Sequence, residues 1–165
     1  MSETISTRVQ VRVATLADVS LILEFIKALA EYERLGHDVE ATEADIRRDL
    51  FGENPRCFCD IVEADHQPVG FALWFYNYST FRGRAGIYLE DLFVKPEARG
   101  LGAGKALLRR LAQRCVDADL GRLEWSVLNW NTPAIEFYDS LDAAAMEEWT
   151  VRRLYGEALL RLAAS

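Results

Sequence analysis

Hydrophobic and polar residues alternate with different periods along the chain, and each period predicts one kind of element. Residues 8–13 alternate polar and apolar, which predicts a half-buried strand. The sequence Thr15-Leu-Ala-Asp18 has the form of a capping box, and the apolar residues after it recur at helical spacing to about Glu33. A second capping sequence, Thr42-Glu-Ala-Asp45, predicts a shorter helix that ends at Gly52. The first third of the chain therefore predicts one strand followed by two helices.

Three apolar stretches in the middle of the chain predict three consecutive strands, separated by turn-forming residues. Pro96 follows the third stretch and cannot continue a central strand, because it has no N–H to donate. Apolar residues then return to helical spacing, so a helix is predicted to begin at Gly102 or Ala103. The three predicted strands are residues 57–64, 69–78 and 85–94.

The last third of the chain predicts more strands and two helices. Asn131 or Thr132 can cap the first of these helices, and Pro133 suits its first turn. The other predicted elements are a strand at residues 123–128, closing strands at 144–146 and 149–155, and a short helix at 157–163. This order predicts an α+β fold with a mixed, mostly antiparallel central sheet flanked by helices.

Size and charge limit the possible functions. A chain of 165 residues without repeats or linkers suits a single domain over residues 1–165. The net charge is −7 and no basic stripe is present, so nucleic acid is not an expected partner. An acidic surface would suit a cationic substrate, but many soluble proteins are simply acidic, and the charge alone favours that simpler explanation. No apolar run approaches the ~20 residues of a membrane helix, and the start lacks the pattern of a secretory signal. We expect a cytoplasmic protein.

Cysteine and histidine residues predict neither a disulfide framework nor a metal site. The chain has three cysteines, an odd number, without a secretory signal. Cys57 and Cys59 share a face of a predicted strand, but they would need ligands from elsewhere to bind a metal. His37 and His66 lie in polar, turn-like segments. We therefore expect no bound metal.

A glycine-rich loop between a predicted strand and helix is the strongest functional signal. Glycines in such a loop leave its backbone uncovered, and the first N–H groups of the helix have no partner within it, which suits a phosphate. Neither the nucleoside-triphosphate loop nor the dinucleotide pattern fits the spacing. The mismatched positions are Arg99 and Ala106 for the first pattern, and Lys105 and Leu107 for the second.

Two adjacent carboxylates, Glu90 and Asp91, lie in the third apolar stretch. Burial in such a strand would raise the pKa of a carboxylate towards the range that suits a general base. Strand alternation would place the two side chains on opposite faces, so they should not share a role. Glu90 is the candidate base, and the alternative is that one of the two is an ordinary solvated or salt-bridged residue.

Several separate segments resemble the GNAT N-acetyltransferase superfamily. Arg99-x-x-Gly102-x-Gly104 resembles its pyrophosphate-binding motif, residues 13–18 the start of its first helix, and residues 130–138 its later cofactor motif. The resemblance covers nearly the whole chain, and it implies the GNAT fold and acetyl-CoA as acetyl donor. Four segments resemble more narrowly the diamine acetyltransferases, which include spermidine/spermine and thialysine acetyltransferases: Leu29–Glu33, Leu89–Val94, Trp130–Pro133 and Glu147–Trp149.

The resemblance also implies roles for individual residues. Glu90, the candidate base, matches the family's substrate-side Glu and would accept a proton from the amine either directly or through water, and Tyr138 would donate one to the departing thiolate. The backbone of residues 92–94 would pair with the pantetheine arm as an added strand, and one N–H near Leu92 would face the thioester oxygen. The implied substrate-binding residues are Tyr32, Glu33, Glu90, Glu148 and Trp149. The implied cofactor-binding residues are Leu92, Phe93, Val94, Arg99, Gly100, Leu101, Gly102, Ala103, Gly104, Lys105, Asn131, Pro133 and Tyr138.

We therefore expect an N-acetyltransferase that acts on a primary amine of a small cationic substrate, and the resemblance alone implies a homodimer. The sequence does not choose among polyamines, thialysine, lysine analogues and other small amines. A non-catalytic acetyl-CoA-binding sensor remains the alternative. Tyr138 could instead be a core aromatic and Lys105 a helix-surface charge. Asp142 stands where the family usually has glycine after the helix that carries Tyr138.

Overall fold

A five-stranded sheet forms the centre of the N-terminal unit of the protein. The computed structural model describes residues 8–165, in which the N-terminal unit ends at Ser126 and Val127–Ser165 form a C-terminal unit. The strands are β1 (Val9–Val13), β2 (Phe58–Ala64), β3 (Gln67–Ser79), β4 (Arg84–Val94) and β5 (Leu123–Trp125). They lie in the order β1-β2-β3-β4-β5, with β4 and β5 parallel and every other pair antiparallel. The predicted mixed, mostly antiparallel sheet is confirmed.

The expectation of a single domain stays a prediction. The expectation that the chain lacks a secretory signal depends on its first residues, of which residues 1–7 lie outside the described part.

Five helices accompany the strands in the described residues. Both predicted capping boxes are present: the carboxylate of Asp18 accepts a hydrogen bond from the N–H of Thr15 at 2.7 Å, and that of Asp45 from the N–H of Thr42 at 3.0 Å. The helices are α1 (Val19–Tyr32), α2 (Glu43–Phe51), α3 (Ala103–Asp117), α4 (Thr132–Asp139) and α5 (Gly156–Ala163). The first three belong to the N-terminal unit, and all five lie where the periodicity predicts helix.

The sheet of the N-terminal unit is packed on both faces. On one face, Phe25 of α1 stacks on Phe71 of β3, with ring centroids 5.5 Å apart. On the other face, Arg114 of α3 donates to the carboxylate of Asp60 at 2.7 Å. The indole N–H of Trp74 donates to the second oxygen of Asp60 at 3.0 Å, so this fully buried carboxylate is paired on both oxygens. Between these two layers, β4 lies next to β3 on one side and β5 on the other.

For the end of the chain, two predicted strands are absent and a third is shorter than predicted. The strand predicted at 123–128 ends at Trp125, and residues 144–146 and 149–155 contain no strand. A strand needs a hydrogen-bonding neighbour as well as an apolar pattern, and the described C-terminal unit contains no strand to provide one. The apolar side chains that produced the prediction, such as Trp149 and Val151, are exposed.

Asp142 adopts the left-handed conformation that its position requires, with φ +59°. Its backbone N–H bonds to the carbonyl of Asp139 at 3.0 Å, in the turn that follows α4. An L-residue is disfavoured in this region of φ/ψ space, although Asp tolerates it better than most. Aspartate at this position therefore forms the turn at some cost in stability.

Asp142→Gly should raise the free energy of unfolding by about 0.5–1 kcal/mol, because glycine adopts positive φ without steric cost. Urea unfolding followed by tryptophan fluorescence measures the change. Asp139→Gly is the matched control: Asp139 is the last residue of α4, and glycine at a helical position should lower stability slightly, by about 0.3 kcal/mol. A loss of stability in Asp142→Gly would contradict the prediction.

Candidate active site

The edge of β4 that faces β5 is paired over only part of its length. β5 pairs with β4 at three positions, Ile87–Leu89 with Leu123–Trp125, and ends there. From Glu90 to Val94, β4 is bonded to β3 alone. Within the N-terminal unit, the outward-facing N–H and C=O groups of this segment have no strand partner. They form an edge to which an extended, amide-containing ligand could add as a strand.

β4 has a bulge at Glu90. Leu89 pairs with Trp74 and Asp91 pairs with Leu73, so Glu90 is the extra residue between two successive pairs. A bulge interrupts the alternation of side chains, so the expectation that Glu90 and Asp91 lie on opposite faces no longer follows from alternation and stays a prediction. Their charges interact, since Glu90 contributes to the raised pKa of Asp91.

Asp91 is more buried than Glu90, which reverses the sequence-based expectation. Glu90 is exposed, because the bulge removes it from the packed ladder, and Asp91 is half-buried. Burial raises the pKa of Asp91 to about 7, and the charges of Glu90 and Glu33 add to this effect. Within residues 8–165, no group donates a hydrogen bond to the Asp91 carboxylate or pairs with it as a cation. The sequence showed both carboxylates but not which of them the fold buries.

Glu33 and Cys57 belong to the same acidic environment. Glu33 follows the last residue of α1, and burial raises its pKa. Burial also raises the pKa of the Cys57 thiol, and the carboxylates of Asp49, Asp91 and Glu90 raise it further. Negative charge from three elements therefore converges beside the open part of β4, where a cationic group would be stabilised.

The glycine-rich loop has the conformation that the phosphate hypothesis requires. Gly100 and Gly102 both have positive φ, +84° and +83°, and a side chain at either position would meet no atom within 4 Å. Gly102 is the N-cap of α3, no side chain caps the helix, and its first turn contains no acidic residue. The N–H groups of residues 103–105 are thus available to an anion.

Arg99 connects this loop to the end of α1. Its guanidinium lies over the ring of Tyr32, 4.6 Å from the ring centroid, and its Nε donates to the carbonyl of Val94 at 3.3 Å. A predicted cofactor-binding residue and a predicted substrate-binding residue are therefore in contact. The structure brings together Tyr32, Glu33, Glu90, Leu92, Phe93, Val94 and Arg99 around the open end of β4.

The remaining predicted residues lie in the C-terminal unit. Asn131 is buried and its side-chain oxygen accepts from the N–H of Ala134 at 3.4 Å, so its role as N-cap of α4 is confirmed. Pro133 lies in the first turn of α4, and the half-buried ring of Tyr138 contacts Phe137. Glu148 and Trp149 line a small cavity of about 280 Å³ formed by residues 145–149.

Residues 8–165 contain neither a metal-binding cluster nor a membrane-spanning helix. No group of three or more His, Cys, Asp or Glu side chains is arranged to hold a metal ion. None of the described helices has the length and apolarity needed to cross a membrane.

Comparisons with known proteins agree with this geometry. The sequence profile described as "Acetyltransferase (GNAT) family" matches residues 22–142. Thialysine N-epsilon-acetyltransferase of Bos taurus is 39% identical over 166 residues, covering 94% of this chain and 97% of that protein. The human spermidine/spermine N(1)-acetyltransferase-like protein 1 is 35% identical over 99% of this chain, which spans 25% of that protein. An integron cassette protein of V. cholerae has a similar structure, with a TM-score of 0.79, 27% identity, and coverage of 95% and 98% of the two chains.

The fold and these matches define an acyl-transferring enzyme. The chain belongs to the GNAT acetyltransferase family and is an N-acetyltransferase. The predicted family, fold class and reaction type are confirmed, whereas the roles of individual site residues stay predictions.

Replacing Asp91 with Asn should stabilise the protein near pH 8 and change its stability little near pH 4. The ordinary pKa of this carboxyl is 3.8 and its folded value is about 7, so between these values the folded chain keeps a proton that the unfolded chain has lost. Wild-type stability therefore falls as pH rises through this window and then levels off, and the Asn variant lacks this loss. We expect a gain of about 1–3 kcal/mol at pH 8, allowing for relaxation around the charge.

Urea unfolding at pH 4, 6 and 8 measures this effect. Glu97→Gln is the control, because Glu97 is an exposed carboxylate in the loop that follows β4. Its effect should be small and nearly independent of pH. A gain for Asp91→Asn that is equal at all three pH values would show that the carboxylate is not destabilised by burial.

Proposed function

We propose that this enzyme transfers the acetyl group of acetyl-CoA to a primary amine of a small cationic compound, such as a polyamine or thialysine. The observation that carries the proposal is the convergence of three features in the N-terminal unit: an unpaired strand edge, an uncapped glycine-rich helix start and a cluster of carboxylates. The first two suit the amide-containing arm and the pyrophosphate of coenzyme A, and the third suits an ammonium group. The named activities of the relatives support the same substrates.

The donor would bind along β4 and the loop that follows it. Leu92, Phe93 and Val94 would contribute backbone N–H and C=O groups to the pantetheine arm, while their side chains remain in the core. Residues 99–105 would hold the pyrophosphate through the backbone of the loop and the charges of Arg99 and Lys105. Asn131 and Pro133 are proposed to contact the pantetheine arm, a role that is compatible with capping α4.

The acceptor would bind through charge and aromatic contact. The carboxylates of Glu33, Glu90 and Asp91 attract a cation, and the ring of Tyr32 offers a face for cation–π contact next to Arg99. Glu148 and Trp149 are proposed to add a second acidic and aromatic pair. A substrate with two ammonium groups would use more of these contacts than a simple monoamine.

The carboxylates of β4 are the proposed bases that remove a proton from the amine. An ammonium has no lone pair, so a proton must leave the nitrogen before it forms a bond to the acetyl carbon. Glu90 remains the proposed base, acting through water because its side chain is exposed. Asp91 is a second candidate base, since a pKa of about 7 lies near the pH at which a base is most effective.

Acetyl-CoA, when bound, supplies an acetyl group activated as a thioester. As the bond from nitrogen to carbon forms and the carbon–sulfur bond breaks, Tyr138 is proposed to donate a proton to the sulfur. A backbone N–H near Leu92 is proposed to stabilise the negative charge on the carbonyl oxygen. A thiolate is a fair leaving group, so the proton donor should contribute less than the base.

A homodimer in the cytoplasm is the proposed state of the enzyme. Large apolar side chains are exposed in the C-terminal unit, and such surfaces are typical of protein interfaces. The free thiols of Cys57, Cys59 and Cys115 suit a reducing compartment. Sedimentation velocity over a broad concentration range measures the mass, and a monomer throughout would reject the dimer. The exposed large apolar residues of this unit are Trp130, Met146, Trp149, Val151, Leu154, Tyr155, Leu159, Leu160 and Leu162.

Two measurements on the purified protein test the function. Calorimetry should show binding of CoA, and none of comparable strength for ATP or NAD. Release of free thiol from acetyl-CoA should then be followed with spermidine, thialysine, lysine and propylamine, the last of which lacks a second charge. Thiol release should be fastest with a multiply charged amine. Binding of CoA without thiol release from any amine would indicate a sensor, and binding of ATP or NAD without CoA would reject the donor.

Glu90→Gln and Tyr138→Phe should differ in their pH dependence. Loss of the base should lower kcat/KM for the amine near neutral pH and should be partly rescued at high pH, where more amine is already neutral. Loss of the proton donor should lower kcat by about 10²-fold or less, with little change in acetyl-CoA affinity and no such rescue. The measurement is the pH profile of kcat/KM with the best amine.

Asp91→Asn and Tyr155→Phe complete this series. If Asp91 is the base, its variant shows the rescue at high pH and Glu90→Gln does not. Tyr155 is an exposed tyrosine of the C-terminal unit, so its replacement should leave the profile unchanged. A Glu90→Gln variant with wild-type activity at neutral pH would remove Glu90 from the mechanism.

A further inference from the structure

A basic groove follows the exposed face of α3 from its first turn towards β1. Its volume of about 450 Å³ lies in the range of small-ligand sites, ~300–1,000 Å³. Cationic side chains dominate the lining, and no carboxylate contributes to it. The principal lining residues are Lys105, Arg109, Arg110 and Gln113 of α3, Val11 of β1, and Gly102 at one end.

The three cations of this groove have no ionic partner within residues 8–165. Other arginines of the N-terminal unit do pair: Arg48 bonds two carboxylates and Arg84 bonds one, although both are exposed. Lys105 and Arg109 are also four residues apart on one helix, where like charges destabilise each other. In a chain with a net charge of −7, such an uncompensated cluster suits an anion that binds from outside.

The position of the groove relates this anion to the donor. Gly102 both caps α3 and lines the groove, so the groove begins at the loop proposed to hold the pyrophosphate. Arg109 lies seven residues further along, about 10 Å at the helical rise. In coenzyme A the pyrophosphate joins the pantetheine arm to a ribose that carries adenine and a 3′-phosphate. With that arm along β4, the nucleotide end must leave the loop in another direction.

We propose that Arg109 and Arg110 bind the 3′-phosphate of coenzyme A in this groove. The inference rests on the proposed function and specifies it further, because it makes the 3′-phosphate a determinant of donor choice. A guanidinium matches the geometry of a phosphate and stays charged at every relevant pH. The contact is remote from the reacting thioester, so it strengthens ground state and transition state equally. It should lower the KM for acetyl-CoA and leave kcat unchanged.

Binding of CoA and of dephospho-CoA to the full-length protein tests the inference. By calorimetry, wild type should bind CoA about 10- to 100-fold more tightly than dephospho-CoA, as expected for two charge-assisted contacts. In Arg109→Gln/Arg110→Gln the two affinities should agree within about threefold. The double variant should bind CoA more weakly than wild type does, and it should bind dephospho-CoA with unchanged affinity. In the same variant, the KM for acetyl-CoA should rise by a similar factor at unchanged kcat.

Arg47→Gln is the matched control, since Arg47 is an exposed arginine of α2 outside the groove. This variant should keep the wild-type preference for CoA over dephospho-CoA. Thermal unfolding of each variant, and the two single substitutions, establish that the fold is intact. Equal binding of both nucleotides by wild type, or a preference that survives in the double variant, overturns this inference while CoA binding itself still supports the proposed function. If wild type binds neither nucleotide, both proposals are wrong.

Discussion

Backbone hydrogen bonding at the edge of β4 is the constraint on which the candidate site depends. Strand N–H and C=O groups need partners, and within the described N-terminal unit residues 90–94 have strand partners on one side only. β5 ends opposite the last regular pair before the bulge, and a bulge increases the local twist and disturbs the ladder. A neighbour that follows β4 to Leu89 therefore loses its register beyond that residue. The unpaired edge of residues 90–94 therefore results from backbone geometry and does not require a particular side chain.

The N-terminal unit contains two aspartates whose partners explain their different properties. Asp60 is fully buried, but Arg114 and Trp74 satisfy both of its oxygens, so it joins α3 to the sheet. Asp91 is less buried, yet it has no such partner among the described residues, and two further carboxylates lie near it. A carboxylate in the second situation lowers the stability of the fold. Proteins retain such an arrangement where a ligand compensates for it.

Local signals made most of the fold predictable from the sequence. The capping boxes at Thr15 and Thr42 involve atoms three residues apart, so they are visible without any knowledge of tertiary structure. The glycine-rich loop is equally local, because positive φ at Gly100 and Gly102 is a property of the chain itself. The predictions of the fold class and of a phosphate site were based on these local segments.

The remaining features depend on partners distant in sequence. The bulge at Glu90 exists only in the register between β3 and β4, and it decides which of two adjacent carboxylates is buried. An apolar alternation such as that of residues 149–155 predicts a strand only if a neighbouring strand is present. The unpaired state of Arg109 and Arg110 likewise depends on what surrounds them, and their sequence resembles an ordinary helix surface.

The uncapped start of α3 links ligand binding to the integrity of a helix. Gly102 provides no side-chain acceptor to the first turn, which typically costs a helix about a few tenths of a kcal/mol relative to a capping side chain. An anion at residues 103–105 would take the place of the missing cap and complement the helix dipole. A donor bound as proposed would thus complete the secondary structure of this helix, and the first turn of α3 should exchange its amide hydrogens faster when the donor is absent.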